Sequence, residues 1–223
     1  MSARSWRGEG LARSLAVYVL TDRGVARGRP EVELVAAALA GGATTIQLRA
    51  KEAPARALCA LGTALVRLCA AHGALLVVND RLDVALACGA GGVHLGQDDL
   101  PAERARLLAG GDLVIGVSAA TPAEAAAAEA AGADYLGVGA VFATASKPDA
   151  GPPIGPEGLA AVARSTALPV VAIGGIAPDN AALALAAGAV GVAVISAVLG
   201  ADDVRAAAQR LAAAVRAGER ARS

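Results

Sequence analysis

Lysine is rare in this chain, and both lysines stand in polar clusters that follow apolar runs. Lys51 closes the segment Gln-Leu-Arg-Ala-Lys, and Lys147 lies in Thr-Ala-Ser-Lys-Pro-Asp, while the other basic residues are arginines. A lysine kept among arginines indicates a position that needs a compact point charge, as a phosphate site does. Arg49 adds a guanidinium beside Lys51. The alternative interpretation is surface ion pairing with Glu52 or Asp149, which contributes little stability.

Acidic residues follow two other apolar runs in the middle of the chain. Asp80 comes after Leu-Leu-Val-Val-Asn, and Asp98 and Asp99 come after Val-His-Leu-Gly-Gln. Paired carboxylates suit a hard cation, and Mg²⁺ commonly takes one or two carboxylates together with phosphate oxygens. The residues alone do not distinguish Asp98 from Asp99. The alternative is helix capping, at a helix beginning at Leu82 or near Pro101.

Short apolar segments rich in Val, Ile and Leu alternate with alanine-rich segments, which indicates repeated β-α units. The strands lack strict in/out alternation, as is typical of a parallel sheet covered on both faces. The predicted strands are Ala16–Leu20, Thr45–Leu48, Leu75–Val78, Gly92–Leu95, Leu113–Val117, Tyr135–Val138, Val170–Ile173 and Val192–Ile195. The predicted helices are Glu31–Ala40, Pro54–Ala71, Leu82–Cys88, Ala102–Ala109, Pro122–Ala131, Pro156–Ser165, Pro178–Ala187 and Asp202–Ala217.

Eight such units in about 200 residues favour an α/β fold with a single (β/α)₈ TIM barrel. The alternative is an open doubly wound sheet, but no G-x-G-x-x-G follows the first strand, where a dinucleotide fold would place it. We predict one catalytic domain over residues 15–218, with a flexible N-terminal tail over 1–14 and a C-terminal tail over 219–223.

Composition excludes several classes of function. Aromatic residues are 2% of the chain and the formal net charge is zero, which argues against binding nucleic acid. No apolar run reaches the roughly 18 residues that span a bilayer, so no membrane association is expected. Cys59, Cys69 and Cys88 lack the C-x-x-C spacing of zinc or redox sites, and we expect reduced thiols in a cytoplasmic protein.

In a barrel, active sites lie at the C-terminal ends of the strands. Most of the strands predicted here end in polar residues or glycine, and we expect a magnesium diphosphate to join the acids and the cations there. The last two strands predict a second phosphate site, because Gly174 and Gly175 permit close backbone approach and Ile195–Ser196 would open a short helix. Gly174 could alternatively serve a tight turn. His94 is interpreted as a core residue, and Trp6 and Tyr135 receive no role.

The motifs in this order resemble the thiamine-phosphate synthase family over nearly the whole chain. They are Gln47-Leu48-Arg49-Ala50-Lys51, Val78-Asn79-Asp80-Arg81, Val93-His94-Leu95-Gly96-Gln97-Asp98-Asp99, Gly116-Val117-Ser118, Thr144-Ala145-Ser146-Lys147 and Ile173-Gly174-Gly175-Ile176. The resemblance implies an enzyme that transfers a pyrimidinylmethyl group from hydroxymethylpyrimidine diphosphate to the nitrogen of thiazole phosphate, with Mg²⁺. Its partners would be these small molecules, and a homo-oligomer is possible.

The resemblance also implies roles for residues. Metal ligands would be Asp80 and Asp99. The family places the metal on the last acid of its Gly-Gln-x-Asp stretch, which favours Asp99 over Asp98. Catalytic residues would be Arg49, Lys51, Ser118 and Lys147. Substrate-binding residues would be Gln47, Leu48, Arg49, Ala50, Lys51, Asn79, Ser118, Thr144, Ala145, Ser146, Lys147, Gly175, Ile195 and Ser196.

Two positions depart from the family pattern, and two rival functions stay open. Ala50 stands where many members carry an acid, and Ser146 stands where a threonine is frequent. A thiazole tautomerase of the same fold would need the second phosphate site without the paired aspartates. A non-catalytic barrel could instead sense a phosphorylated metabolite.

Overall fold

The computed structural model describes residues 6, 9–144, 146 and 151–222. Eight parallel strands form a closed barrel in chain order, each paired with its sequence neighbours, and the last strand pairs with the first. The predicted TIM barrel is therefore confirmed, and the open doubly wound sheet is wrong.

The strands agree closely with the predicted segments, since four have identical bounds. They are β1 Val17–Leu20, β2 Thr45–Leu48, β3 Leu75–Asn79, β4 Gly92–Leu95, β5 Val114–Ala119, β6 Tyr135–Val138, β7 Val170–Ile173 and β8 Gly191–Val194. The helices are α1 Glu9–Ser14, α2 Arg23–Ala26, α3 Glu31–Ala40, α4 Ala55–Ala71, α5 Leu82–Cys88, α6 Ala102–Ala109, α7 Pro122–Ala130, α8 Gly155–Arg164, α9 Ala181–Ala186, α10 Ser196–Leu199 and α11 Val204–Arg222. No helix within these described ranges is both long and apolar enough to cross a membrane.

Alternate residues of every strand face opposite sides of the barrel wall, which creates two cores. In β1, for example, Val17 and Val19 pack outward against the helices, whereas Tyr18 and Leu20 point into the barrel. Both faces are apolar at most positions, which explains why the strand sequences show little alternation. The same alternation decides which residues near the strand ends can reach a ligand.

The predicted N-terminal tail is corrected, because residues 9–14 form the helix α1. Leu11 and Leu15 of this region are buried in the inner core, and Trp6 packs against the same cluster. Thr45 at the start of β2 donates its hydroxyl to the Ser14 carbonyl at 2.6 Å. Two apolar residues spaced one helical turn apart therefore close the N-terminal end of the barrel.

The predicted C-terminal tail is also wrong for residues 219–222, which continue α11. The buried face of that helix includes Ala208, Leu211 and Val215. A side chain at Gly218 would meet Leu185 of α9 at 2.6 Å, so the two helices are in close contact there. This packing supports the helix beyond the bound that we predicted.

We expect Leu11→Ala to lower the free energy of unfolding by about 2–4 kcal/mol, because it removes a buried leucine from the inner core. Urea unfolding of the two proteins measures the difference. Leu107→Ala is the matched control, since Leu107 is 75% exposed and its truncation should change stability by less than about 0.5 kcal/mol. Equal losses in the two variants would contradict a structural role for α1.

The predicted start of α9 is also corrected, since the helix begins at Ala181 rather than Pro178. Asn180 accepts the Ala177 amide at 2.8 Å and donates to the Gly175 carbonyl at 2.9 Å. Residues 177–180 therefore form a turn that holds the loop after β7, although a proline followed by an acid predicted a helix start there.

Arg29, which follows α2, forms hydrogen bonds with the end of α10 late in the chain. Its guanidinium donates to the Ala26 carbonyl at 3.1 Å, to the Ala201 carbonyl at 2.8 Å, and to the Leu199 carbonyl. Leu199 closes α10, so this arginine fixes the last turn of that short helix beside α2. Positive charge at the carbonyl end of a helix is electrostatically favourable.

Candidate active site

A cavity of about 520 Å³ opens at the C-terminal ends of the strands. Most of the side chains predicted for the site line it, although they come from seven separate segments of the chain. The predicted residues on the cavity wall are Gln47, Arg49, Lys51, Asn79, Asp80, Asp99, Ser118, Thr144, Ser146, Gly175, Ile195 and Ser196.

Two of the predicted residues that the structure describes, Leu48 and Ala50, are not on that wall. Leu48 is buried in the outer core, because it alternates with the inward-facing Gln47, and Ala50 packs against the same outer core. Both line a smaller recess of about 230 Å³ that also touches Lys51. Ala145 and Lys147 lie outside the described residues. The side chains of Leu48 and Ala50 therefore point away from the main cavity, and their role in substrate binding stays a prediction.

Arg49 is held on the rim of the cavity by the end of β1. Its Nη1 atom lies 2.6 Å from Oδ2 of Asp22, and its backbone amide donates to the Thr21 hydroxyl at 2.9 Å. The other oxygen of Asp22 accepts the Val25 amide at 3.1 Å and caps α2. Arg49 therefore has a partly buried ion pair with Asp22, a partner that the sequence did not predict.

Asp80 and Asp99 face one another at the ends of β3 and β4. Their carboxyl groups lie close enough for each to affect the protonation of the other. The Gly96 amide donates to Oδ2 of Asp99 at 2.6 Å, and the Asp80 amide donates to the His94 carbonyl at 2.8 Å. Asp80 has φ of 62°, a left-handed conformation that aspartate tolerates better than most residues.

Neither aspartate serves the helix-capping role that we considered. The N-cap of α5 is Arg81 and that of α6 is Pro101, and neither helix start has a capping side chain. Both carboxylates are therefore available to the cavity.

The two carboxylates concentrate negative charge in a partly buried place. Burial, then the hydrogen bond and charge of Asp99, raise the pKa of Asp80 from 3.8 to about 6, although Lys51 and Arg49 act to lower it. A divalent cation between the carboxylates would relieve this repulsion. The described residues contain no cluster of three His, Cys, Asp or Glu ligands, so the donor set fits an ion that keeps waters or takes substrate oxygens.

The raised pKa of Asp80 predicts a pH dependence of stability in metal-free protein. The folded state binds this proton more tightly than the unfolded chain, so the group's contribution to stability is full below pH 3.8 and is lost as the pH rises to about 6. In urea unfolding, the stability of the wild type relative to Asp80→Asn should fall between those values and then level off. If the stability difference between the wild type and Asp80→Asn did not change with pH, the raised pKa of Asp80 would be contradicted.

The floor of the cavity is a hydrogen-bonded set of side chains, and three of them, Tyr18, Tyr135 and His94, were not predicted for the site. Gln47 Nε2 donates to the Tyr18 hydroxyl at 2.8 Å, which lies 2.9 Å from the Tyr135 hydroxyl. That hydroxyl lies 3.0 Å from Nδ1 of His94, and Nε2 of His94 lies 3.0 Å from the Ser118 hydroxyl. Tyrosines at inward positions of two predicted strands were the available signal.

The other side of the cavity combines glycines, hydroxyls and a helix start. Gly174 and Gly175 have φ of 96° and 64°, and a side chain on either would collide with the segment 140–143. The Ser146 hydroxyl lies 3.0 Å from the Ser196 hydroxyl at the beginning of α10. The expected short helix after β8 is confirmed, and its start lies beside the hydroxyl cluster.

Comparison with known proteins agrees with the resemblance seen in the motifs. A family model described as thiamine monophosphate synthase matches residues 17–198. The thiamine-phosphate synthase of Moorella thermoacetica is 60% identical over 195 residues, which is 87% of this chain and 93% of that protein. The thiamine-phosphate synthase of a Roseiflexus species is 56% identical over 209 residues, covering 93% of this chain and 89% of that one.

A solved structure shows the same similarity in three dimensions. The thiamine phosphate pyrophosphorylase of Pyrococcus furiosus superposes with a TM-score of 0.87 at 49% sequence identity. The match covers 93% of this chain and 98% of that one. The similarity therefore extends over nearly the whole length of both chains.

Proposed function

Since this chain belongs to the thiamine monophosphate synthase family, we propose that it joins hydroxymethylpyrimidine diphosphate to thiazole phosphate, forming thiamine phosphate and diphosphate. The observation that carries the proposal is the arrangement of one cavity. Paired carboxylates lie beside Arg49 and Lys51, and glycines and hydroxyls from the loops after β6, β7 and β8 line the same cavity.

The proposed reaction breaks the bond between the pyrimidine methylene carbon and the diphosphate oxygen. The electron pair leaves with diphosphate, and the aminopyrimidine ring supports the positive charge that remains on carbon. Arg49 and Lys51 stabilise the charge that develops on the departing oxygens. Lys147, outside the described residues, receives the same role from the family motif.

Asp80 and Asp99 are proposed to hold Mg²⁺, which would supply further positive charge to the same oxygens when bound. Asp22 keeps Arg49 at the rim through its 2.6 Å contact, so this cation is positioned before the ligand arrives. Asn79 and Ser118 line the cavity and can give neutral hydrogen bonds to the pyrimidine diphosphate.

The thiazole nitrogen then attacks the methylene carbon, and its lone pair forms the new bond. No proton is transferred in this step, so the protein needs neither a nucleophile nor a general base. Gly175, Ile195, Ser196 and the segment 144–146 are proposed to bind the thiazole phosphate. Their contribution is to hold the nitrogen close to the carbon.

The paired aspartates favour this transferase over the two rival functions. A thiazole tautomerase acts on one phosphorylated substrate and has no diphosphate leaving group to neutralise. A sensor barrel needs no cluster of acids opposite cations. The three cysteines are free thiols, which supports the proposal that the protein works in a reducing compartment such as the cytoplasm.

The proposal is tested by mixing both substrates with the protein and Mg²⁺, and measuring thiamine phosphate and diphosphate. Equal amounts of the two products are expected, with none when either substrate is omitted and little after chelation of the metal. Folded protein that isomerises a thiazole precursor without releasing diphosphate would establish the tautomerase instead. Binding of both substrates without turnover would favour the sensor.

A further inference from the structure

The cavity floor contains a buried hydrogen-bond acceptor that has no partner among the residues that the structure describes. Gln47 is 3% exposed, and among the described residues its Oε1 is one of two buried side-chain atoms with no hydrogen-bond partner. An unpaired buried acceptor costs roughly 1–3 kcal/mol. Gln47 lines the cavity, so a ligand can supply the missing donor.

The Gln47 amide begins a path of hydrogen bonds whose directions depend on one another. Its Nε2 donates to the Tyr18 hydroxyl, so the proton of Tyr18 is directed to the Tyr135 hydroxyl. If the same direction continues along the path, Tyr135 donates to Nδ1 of His94, and the imidazole proton then lies on Nε2, directed to Ser118. Burial raises the pKa of both tyrosines, so both hydroxyls keep their protons.

The barrel makes room for this set at two glycines. A side chain at Gly116 would lie 2.1 Å from the Tyr135 ring, and one at Gly137 would lie 2.9 Å from the His94 ring. Both glycines occupy inward positions of β5 and β6, where other strands place apolar side chains. The interior is thus shaped around the two rings.

We propose that Tyr18, Tyr135 and His94 are positioning residues that fix the direction of hydrogen bonding on the cavity floor. They make Gln47 an acceptor and Ser118 a donor toward the ligand. The floor therefore selects a pyrimidine that presents an amino group to Gln47 and rejects one that presents a carbonyl oxygen there. This inference rests on the proposed function, because it concerns the pyrimidine substrate of that reaction.

Binding of two pyrimidine monophosphates tests the inference, since their poorer leaving group keeps them intact. One carries the amino group and the other carries an oxo group in its place. In calorimetric titrations, the wild type should bind the amino form at least about 100-fold more tightly, as expected of a site built to receive a donor. Tyr18→Phe should reduce the preference to about tenfold or less, because the Gln47 amide is then free to turn.

Tyr135→Phe should lower the preference in the same direction, since it interrupts the same path at the next residue. Thr45→Val is the matched control: it also removes a buried barrel hydroxyl, but one bonded to Ser14 at the opposite end. The preference of Thr45→Val for the amino form over the oxo form should equal that of the wild type. Preferences that are unchanged in both phenylalanine variants, with their thermal unfolding intact, would overturn the inference.

Nitrogen NMR of the imidazoles provides a second readout that a merely structural role would not affect. The chain has only two histidines. His94 should carry its proton on Nε2 in the wild type and lose this fixed tautomer in Tyr135→Phe. A proton on Nδ1 in the wild type would overturn the inference. Failure of the wild type to bind either pyrimidine would instead count against the proposed function.

Discussion

Replacing Lys51 with alanine is expected to lower kcat/KM for the pyrimidine diphosphate by about 10²–10³-fold, because it removes a cation from the departing oxygens. Lys51 is exposed on the cavity rim, so the free energy of unfolding should change by less than about 0.5 kcal/mol. Steady-state kinetics with separate variation of each substrate measures the loss. The KM for thiazole phosphate should change little.

Arg67→Ala is the matched control for charge removal, since Arg67 is exposed on α4 and is not on the cavity wall. It should retain wild-type rates. Lys51→Arg separates charge from shape: a guanidinium keeps the charge but has a different geometry, so only partial recovery is expected. Near-normal rates in Lys51→Ala would remove this residue from the proposed mechanism.

Asp80→Asn is expected to lower turnover by about 10²–10⁴-fold and to weaken Mg²⁺ binding measured by titration at neutral pH. Asparagine is the suitable replacement because it tolerates the left-handed backbone at φ of 62°, whereas alanine would add strain. The variant should be at least as stable as the metal-free wild type above pH 6, since one of two repelling charges is gone.

Asp83→Asn controls for the loss of a nearby carboxylate. Asp83 lies three residues further on, exposed, and paired with Arg81 at 2.6 Å outside the cavity. Its turnover and magnesium dependence should match the wild type. If Asp80→Asn retained full magnesium-dependent turnover, the metal would have to bind without this carboxylate.

The barrel was predictable from sequence because its determinants are local. Alanine-rich helices and short Val, Ile and Leu runs alternate eight times, and several of the boundaries are marked by a turn or a cap. The end of the chain was harder, because the helix beyond Ala217 is supported by packing of Gly218 against Leu185. The N-terminal helix was missed for the same reason, since burial of Leu11 depends on the complete barrel.

The position of the site was also predictable, because any residue that follows a parallel strand must lie at the same end of the barrel. The directions in which the side chains point were less predictable from the sequence. Leu48 was assigned to the site with its neighbours, although alternation turns it outward. The Asp22–Arg49 contact and the path from Gln47 to Ser118 join residues of different strands. Such contacts depend on register and on the tilt of the strands.

Closure of the barrel between β1 and β8 has a consequence for folding while the protein is being translated. Arg29 binds carbonyls that lie 170 and 172 residues further along the chain. Since β8 is synthesised last, the barrel cannot close until the ribosome has made nearly the whole chain. Until β8 arrives, β1 and β7 each offer an unpaired edge to other nascent chains. Products truncated before Gly191 should therefore aggregate, whereas the finished protein leaves neither edge open.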